Sequence, residues 1–431
     1  MWVWCNRARA PWVVFGVCAV VYTAMLGARV RWTAANNPFG SHYVHLANSY
    51  LHGQLHVVGN QPLGIDDESF FDGKWQISFP PFPAVLLVPF VAVGGLHTPA
   101  ALLWALLAAV APALLYVLLR SLRESGDSVT DETFDRWLVA AYAFGSPLFF
   151  TAVQGTVWFA AHAVGSVLMV GFLYGVIRLR TMWGAGLALG LCFMTRPTTL
   201  VAGVLVLLEL VRAWRLPSDS TPSQPRGGEW VRWIRPAAQF AAPMVVVVVV
   251  TLWMNWVRFH HPLEFGHKFL QVRWQHRIER WGLFDYHYLA KNLAVFWTSL
   301  PWWTSEPPYV RVTTHGIALW VACPYLLWLL WPRRLTPLAV GCYIAAGAVA
   351  VYDWLYQNTG WEQFTYRFSL DYFPILMVLV AVTHTTGFKR RRLAMMVAMV
   401  WAIGINTFGA VTFNRADRWY ERDPSLLFQP D

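Results

Sequence analysis

Apolar runs of membrane-crossing length recur along this chain, at 11–29, 98–119, 136–152, 157–177, 182–195, 198–212, 236–257, 313–331, 335–352, 370–386 and 393–412. A bilayer core demands roughly 17–25 apolar residues per helical span. It also leaves no water for exposed backbone groups, so each run is expected as a helix. The pattern predicts an all-α polytopic membrane protein with about 11 transmembrane helices in a single domain spanning 1–431. The stretch from Met182 to Val211 is interrupted by Thr195-Arg196-Pro197 and is taken as a pair of short helices. One long tilted or broken helix is the alternative, at the cost of charge parity.

Charge sets the orientation. Arg7/Arg9, Arg120/Arg123, Arg178/Arg180, Arg212/Arg215 with Arg226/Arg232/Arg235, Arg333/Arg334 and Lys389-Arg390-Arg391-Arg392 form the basic clusters. Cytoplasmic loops retain Lys and Arg. All the clusters fall inside, with the amino terminus cytoplasmic, only if Pro80–Gly95 lies in the interface instead of crossing. The long segments 30–97, 258–312 and 353–369 then face outward, as does the tail from Phe413.

Composition agrees with a membrane protein. Apolar residues make up 57% of the chain and charged ones 13%, more apolar surface than a soluble fold hides. The 26 Trp and 16 Tyr suit many interfacial positions. A net charge of +10 is explained by loops resting on anionic lipid, and nucleic-acid binding is excluded as a function. Five cysteines without CxxC or Cys/His spacing argue against a disulfide framework or a zinc site. No repeat is evident, which counts against a transporter built from duplicated halves.

The first outward segment carries the densest chemistry. The stretch Asn37–Leu55 opens with a turn, then shows apolar residues at helical spacing with a stop signal at Gly53, as a helix along the membrane surface would. An acidic patch, Asp66-Asp67-Glu68, leads to an Asp72-Gly73 turn, and Pro80-Pro81-Phe82-Pro83 opens the interfacial helix. The sequences Leu-His-Gly-Gln-Leu (51–55), Phe-Asp-Gly-Lys-Trp (71–75) and Phe-Pro-Pro-Phe-Pro (79–83) resemble the first outer loop of GT-C membrane glycosyltransferases. The likeness is to bacterial members related to protein mannosyltransferases and aminoarabinose transferases. Thr156–His162, Thr195-Arg196-Pro197, Phe265-Gly266-His267 and Tyr366–Asp371 extend it along the chain.

The resemblance implies two surface helices in the first outer loop and an aqueous cavity above the core. It also implies a glycosyltransferase of the bacterial inner membrane, taking sugar from a polyprenyl-phosphate carrier to a lipid, glycan or protein acceptor. The family places an acidic base just after the first span. Here that stretch is Asn36-Asn37-Pro38-Phe39-Gly40-Ser41-His42, with no carboxylate. Three readings stay open: a later acid serves, His42 or His45 serves, or the usual step is not catalysed. A lipid-linked-sugar transporter or a non-catalytic scaffold with the same fold is the alternative.

Such a transfer needs a base at the acceptor hydroxyl and cations at the departing phosphate. Asp72 is the first candidate base, followed by Asp66, Asp67 and Glu68; a solvated acidic run is the competing explanation. Arg196, beside Pro197 at the mouth of two apolar runs, is the leading phosphate ligand, against simple snorkelling to headgroups. An arginine within a span costs roughly 2.5–3.5 kcal/mol, so it is expected to find a partner. Arg367 and Asp371 share a helical face, either as an ion pair or with Arg367 turned to phosphate. His162, Lys74, Lys268 and Arg273 complete the candidate binding set, the last two within a basic and aromatic stretch that equally suits an amphipathic surface helix. No cofactor is required by the pattern. A divalent metal held by first-loop acids and histidines stays open, although no spacing argues for it.

Overall fold

The computed structural model describes residues 2–215, 231–272, 274–384 and 389–421. The chain opens with α1 (Trp2–Leu26) and α2 (His42–Leu51), followed by strands β1 (Glu68–Phe71) and β2 (Lys74–Ile77). Next come α3 (Phe82–Gly94), α4 (Ala100–Glu124), α5 (Glu132–Phe144), α6 (Pro147–Ala152), α7 (Val157–Val176), α8 (Met182–Phe193), α9 (Val204–Arg215) and α10 (Val231–Phe259). Then follow α11 (Gln275–Trp281), α12 (Leu289–Trp297), β3 (Trp302–Trp303), β4 (Val310–Thr313) and α13 (Leu319–Ala322). The last elements are α14 (Pro337–Trp354), α15 (Phe373–Thr383), α16 (Lys389–Thr412) and β5 (Tyr420–Glu421).

This is a mostly helical, membrane-embedded protein. Among the described residues, helices at Arg9–Arg31, Ala100–Glu124, Val157–Leu179, Trp233–Phe259, Pro337–Trp354 and Lys389–Thr412 are long and apolar enough to cross a bilayer. Shorter apolar helices cover Phe82–His97, Met182–Phe193 and Phe373–Thr383.

The expectation of an all-α chain is corrected in two places by small sheets. β1 and β2 pair through a two-residue turn, Asp72-Gly73, with positive φ at both positions. This is the backbone that Asp-Gly accommodates between twisted strands. β4 pairs antiparallel with β3 and parallel with β5, which ties the end of the chain to the second long segment.

The expected continuous helix at 313–331 is also corrected. Its first residue closes β4, α13 supplies one turn, and Pro324–Leu330 forms a 3-10 turn. Pro324 has no N–H to continue a helix. The carbonyls freed by the break find partners on neighbouring helices: Asn406 donates to Ala322 O, Trp401 to Val321 O and Tyr343 to Leu329 O. Irregular backbone survives inside an apolar bundle when other helices satisfy it in this way. The segment 136–152 is similarly divided at Gly145-Ser146-Pro147, and 198–212 begins as the 3-10 turn Pro197–Gly203. The final residues of the expected 370–386 span and the core of the 212–235 connector lie outside the described residues.

Two packing devices fix the bundle around the site. α1 packs on α4, α4 on α7, α7 on α8 and α8 on α10. The last contact is set by Gly186 and Gly190, four residues apart on one face of α8. A Cβ at Gly186 would sit 1.9 Å from Phe240 O, and one at Gly190 would meet Val247 Cβ at 3.0 Å. Small residues at this spacing let two backbones approach in the absence of a hydrophobic drive.

The second device gathers arginines. Arg178 and Arg212 both bind the Asp127 carboxylate, at 2.6 and 3.2 Å, while Arg334 donates to Asp127 O. Nearby, Arg123 holds Asp135 and Arg392 holds Asp131. Clusters scattered along the sequence thus converge on one end of the bundle. The long segments meet at the other end, where β1 contacts Leu270 and Phe284 contacts Tyr356. At 13 residues α3 is shorter than a span requires. Its Pro83, Ala84, Leu87 and Val91 are buried and it packs on α2, leaving Val85, Phe90 and Val93 exposed.

Overpacking at the α8–α10 contact gives a direct test. Gly186→Ala is expected to destabilise the protein by about 1–3 kcal/mol, because backbone must shift. Gly184→Ala, whose Cβ would meet only Thr181 at 3.7 Å, is expected to leave stability unchanged or slightly raised. Thermal denaturation in detergent distinguishes the two.

Candidate functional site

The break between α8 and the Pro197 turn creates the site. Proline ends the helix, Arg196 adopts an extended backbone (φ −142°, ψ 90°), and Arg196 N still reaches Cys192 O at 2.6 Å. Its guanidinium clasps Asp371 through Nε (2.9 and 3.1 Å) and Nη2 (2.7 Å). The same carboxylate accepts from Thr198 Oγ1 at 3.1 Å and pairs with His162 Nδ1, from α7, at 3.2 Å. The Asp371 side chain is 1% exposed while Arg196 keeps 19%, so the acid is sealed and the arginine is the less enclosed partner. A sealed ion pair is sustained only when further hydrogen bonds satisfy its remaining lone pairs, as Thr198 and His162 do here.

Of the two readings for Arg367 and Asp371, the ion pair between them is not formed. The residues 367–371 make a 3-10 turn, which directs the two side chains apart. Arg367 instead lies over the Phe159 ring at 4.9 Å and donates to Glu362 O at 3.2 Å and, at the limit of hydrogen-bonding distance, Trp361 O at 3.4 Å. It is buried, makes no ion pair among the described residues, and its Nε has no partner. Burial and the neighbouring Arg196 together pull its pKa down to about 9. Both guanidinium groups flank Phe368, Arg196 at 4.9 Å and Arg367 at 5.6 Å from the ring centre. Two cations thus flank one ring, and the carboxylate of Asp371 is engaged by Arg196 alone of the two.

Of the first-segment acids, Asp67 reaches this region. It sits at positive φ (63°), an uncommon conformation for a non-glycine residue, and its Oδ2 accepts from Trp158 Nε1 at 2.6 Å. Burial raises its pKa, with the Trp158 bond and the charge of Arg367 acting the other way. Asp66 has an exposed side chain, and its backbone O pairs with His42 Nε2 at 2.5 Å. Glu68 is buried and caps the Leu63, Gly64 and Ile65 N–H groups, a structural task that occupies both oxygens. Asp72, the first candidate from the sequence, is at the hairpin turn, 64% exposed and 3.7 Å from His260.

The other expected residues divide in the same way. His162 joins the buried network. His42 is fully buried against Phe79 and Trp158, and burial lowers its pKa to about 4, leaving a neutral ring whose Nδ1 has no partner. Lys74 is exposed on β2, and Lys268 is exposed beside Glu264 at 3.6 Å. Arg273 lies outside the described residues. Among the described residues no group of three or more His, Cys, Asp or Glu side chains is arranged to hold a metal ion.

Sequence reasoning missed Asp353 and Thr198. Asp353 is buried at the end of α14, near enough to Arg196 and Asp371 to feel both charges, and its Oδ2 has no partner. An acid closing the apolar run 335–352 was the available signal, since ionisable groups at membrane depth are rare and functional. The chain matches no family model, and no characterised protein matches it.

The network makes a stability contrast measurable. Asp371→Ala leaves a buried guanidinium unpaired and is expected to cost about 3–5 kcal/mol. Asp72→Ala at the exposed turn is expected to stay within about 0.5 kcal/mol of the wild type. Comparable losses in denaturant titration would contradict the placement of either residue.

Proposed function

We propose that this protein is a GT-C-type glycosyltransferase that moves a sugar from a polyprenyl-phosphate carrier to an acceptor at the outer face of a bacterial inner membrane. The reading includes about eleven crossings, interfacial helices α2 and α3, and a cytoplasmic amino terminus. Convergence of the arginines on one end supports that orientation under the positive-inside tendency.

The observation that carries the reading is Arg367, a buried guanidinium with no carboxylate partner among the described residues and with Asp67 close enough to influence it. In the proposed step the acceptor hydroxyl gives its proton to Asp67 as its oxygen attacks the anomeric carbon. The bond from that carbon to the carrier phosphate breaks, and the electron pair leaves with the phosphate. Arg367 meets the charge that develops there, helped by Arg196 Nη1, which makes no hydrogen bond to the described residues. Asp371, His162 and Thr198 hold Arg196 in place. The sequence likeness to GT-C loops supplies the choice of carrier and reaction.

The rival reading, transport of the lipid-linked sugar or a non-catalytic scaffold, draws on the buried Asp353, Asp371 and His162, since acid and histidine chains also serve proton-coupled carriers. Purified protein in nanodiscs, given a polyprenyl phosphate bearing a radiolabelled hexose and a mixed pool of envelope acceptors, is expected to release polyprenyl phosphate and label an acceptor. Intact carrier crossing to the opposite leaflet of vesicles would favour the rival. Asp67→Asn and Arg367→Ala are each expected to lower transfer by about 100-fold or more, with Asp72→Asn unaffected. Because burial raises the Asp67 pKa, the acid limb of the rate profile is expected above the ordinary carboxylate range, with rate rising as pH passes through it. An acid limb unchanged in Asp67→Asn would assign the base elsewhere.

A further inference from the structure

The arginine-rich end of the bundle carries a recess that the transfer reading does not use. It lies between the end of α15, the start of α16 and the 3-10 turn Pro324–Leu330. Trp328, Leu329, Val380 and Met395 give it apolar walls, and His384 and Arg391 line it with nitrogen donors. His384 is 3% exposed, and its Nδ1 is covered from solvent without a hydrogen-bond partner. The imidazole is stacked on Phe134, with 4.3 Å between ring centres and 10° between planes, which fixes the plane in which that nitrogen lies. Arg391 donates through Nη2 to Trp331 O at 2.9 Å and, at the limit of hydrogen-bonding distance, to Trp328 O at 3.4 Å. These contacts anchor the guanidinium beside the broken segment, yet its Nε is likewise covered and unpartnered.

The neighbouring acids are already engaged. Asp127 is shared by Arg178 and Arg212, and Asp135 is held by Arg123. Asp131 accepts from Arg392 Nη2 at 2.9 Å and also caps Phe134 N at 2.8 Å. Arg392 lies over the same Phe134 ring, 5.8 Å from its centre, so it belongs to α5 and leaves Arg391 alone at the recess. Among the described residues Arg391 has backbone carbonyls as acceptors and makes no ion pair. The other polar group in the lining, Thr383 Oγ1, is spent on Leu379 O at 2.7 Å.

Buried polar atoms are nearly always satisfied in native proteins. A guanidinium and an imidazole with unmatched nitrogens, lining one recess with apolar walls, therefore point to an anion that brings an apolar body with it. We propose that this recess binds the phosphate ester of an acyl-chain lipid from the leaflet at the arginine-rich end. Arg391 and His384 donate to the phosphate oxygens, and Trp328, Leu329, Val380 and Met395 receive the first part of the chains. The site lies at the opposite end of α15 from the Asp371 network and requires nothing of the transfer reading.

Native mass spectrometry of the full-length protein in detergent micelles reads this site. Dioleoyl phosphatidylglycerol is expected to fill a saturable first site on the wild type, and to bind about tenfold more weakly to Arg391→Gln and to His384→Phe. The phenylalanine keeps the stacking on Phe134 and removes the ring nitrogens. Arg390→Gln, at an exposed position in the same basic run, is expected to bind as the wild type does. Dioleoylglycerol, which lacks the phosphate, is expected to bind at least about tenfold more weakly than the phospholipid. Equal affinity in all four proteins would overturn the site, and a loss in Arg390→Gln as large as in Arg391→Gln would reduce it to diffuse charge. Dioleoylglycerol binding as tightly as the phospholipid would overturn the phosphate contact, a comparison that needs the wild type alone should a variant not fold. Displacement of the phospholipid by equimolar inorganic phosphate would overturn the lipid as the source of the anion.

Discussion

The buried pairing of Arg196 with Asp371 is the constraint around which the rest of the molecule is arranged. A proline breaks the apolar run between α8 and α9, and the freed backbone and charge at that break require partners. Asp371 supplies two hydrogen-bonded oxygens, and Thr198 and His162 complete them. Helix α7, the α8 break and the turn before α15 are thereby tied at a single carboxylate. An apolar bundle has little directional preference of its own, so a polar knot of this kind determines which faces meet.

Once Arg196 is committed to Asp371, the chemistry around it becomes asymmetric. Arg367 is adjacent on the chain to Phe368 and shares that ring with Arg196, yet among the described residues its acceptors are backbone carbonyls alone. A phosphate would give Arg367 the charged acceptor that it lacks among the described residues. Asp67 approaches from the first long segment, aimed by Trp158 at the start of α7. His42 of α2 also packs on Trp158, so the segment between α1 and α4 contributes position as much as reactive groups.

Several of these features were legible in the sequence, for reasons that can be stated. The basic clusters marked one end of the bundle because arginines at span ends have few other places to go, and Asp127 gathers them there. Asp72-Gly73 announced its turn because few other dipeptides accept positive φ twice. The identity of Arg196 as a special residue followed from its place beside Pro197 between two apolar runs. Its partner did not follow, because the i,i+4 spacing left Arg367 either paired with Asp371 or turned to phosphate, and the 3-10 turn at 367–371 removed the helical face on which that pairing rests. The same limit explains the ranking of the acids: Asp66, Asp67, Glu68 and Asp72 look alike in sequence, and only the hairpin fold and the hydrogen bond from Trp158 to Asp67 separate them. The broken segment at 313–331 was read as continuous because hydropathy does not register that Asn406, Trp401 and Tyr343 satisfy the freed carbonyls.

The most direct test of a lipid phosphate resting between Arg367 and Phe368 is photocrosslinking. A polyprenyl phosphate carrying a diazirine next to its phosphate would be bound to the protein in nanodiscs, irradiated, and mapped by mass spectrometry. Crosslinks are expected in the peptides containing Trp158–Phe159 and Arg367–Phe368. Crosslinks confined to the arginine-rich end, around Arg178, Arg212 and Arg392, would contradict the account.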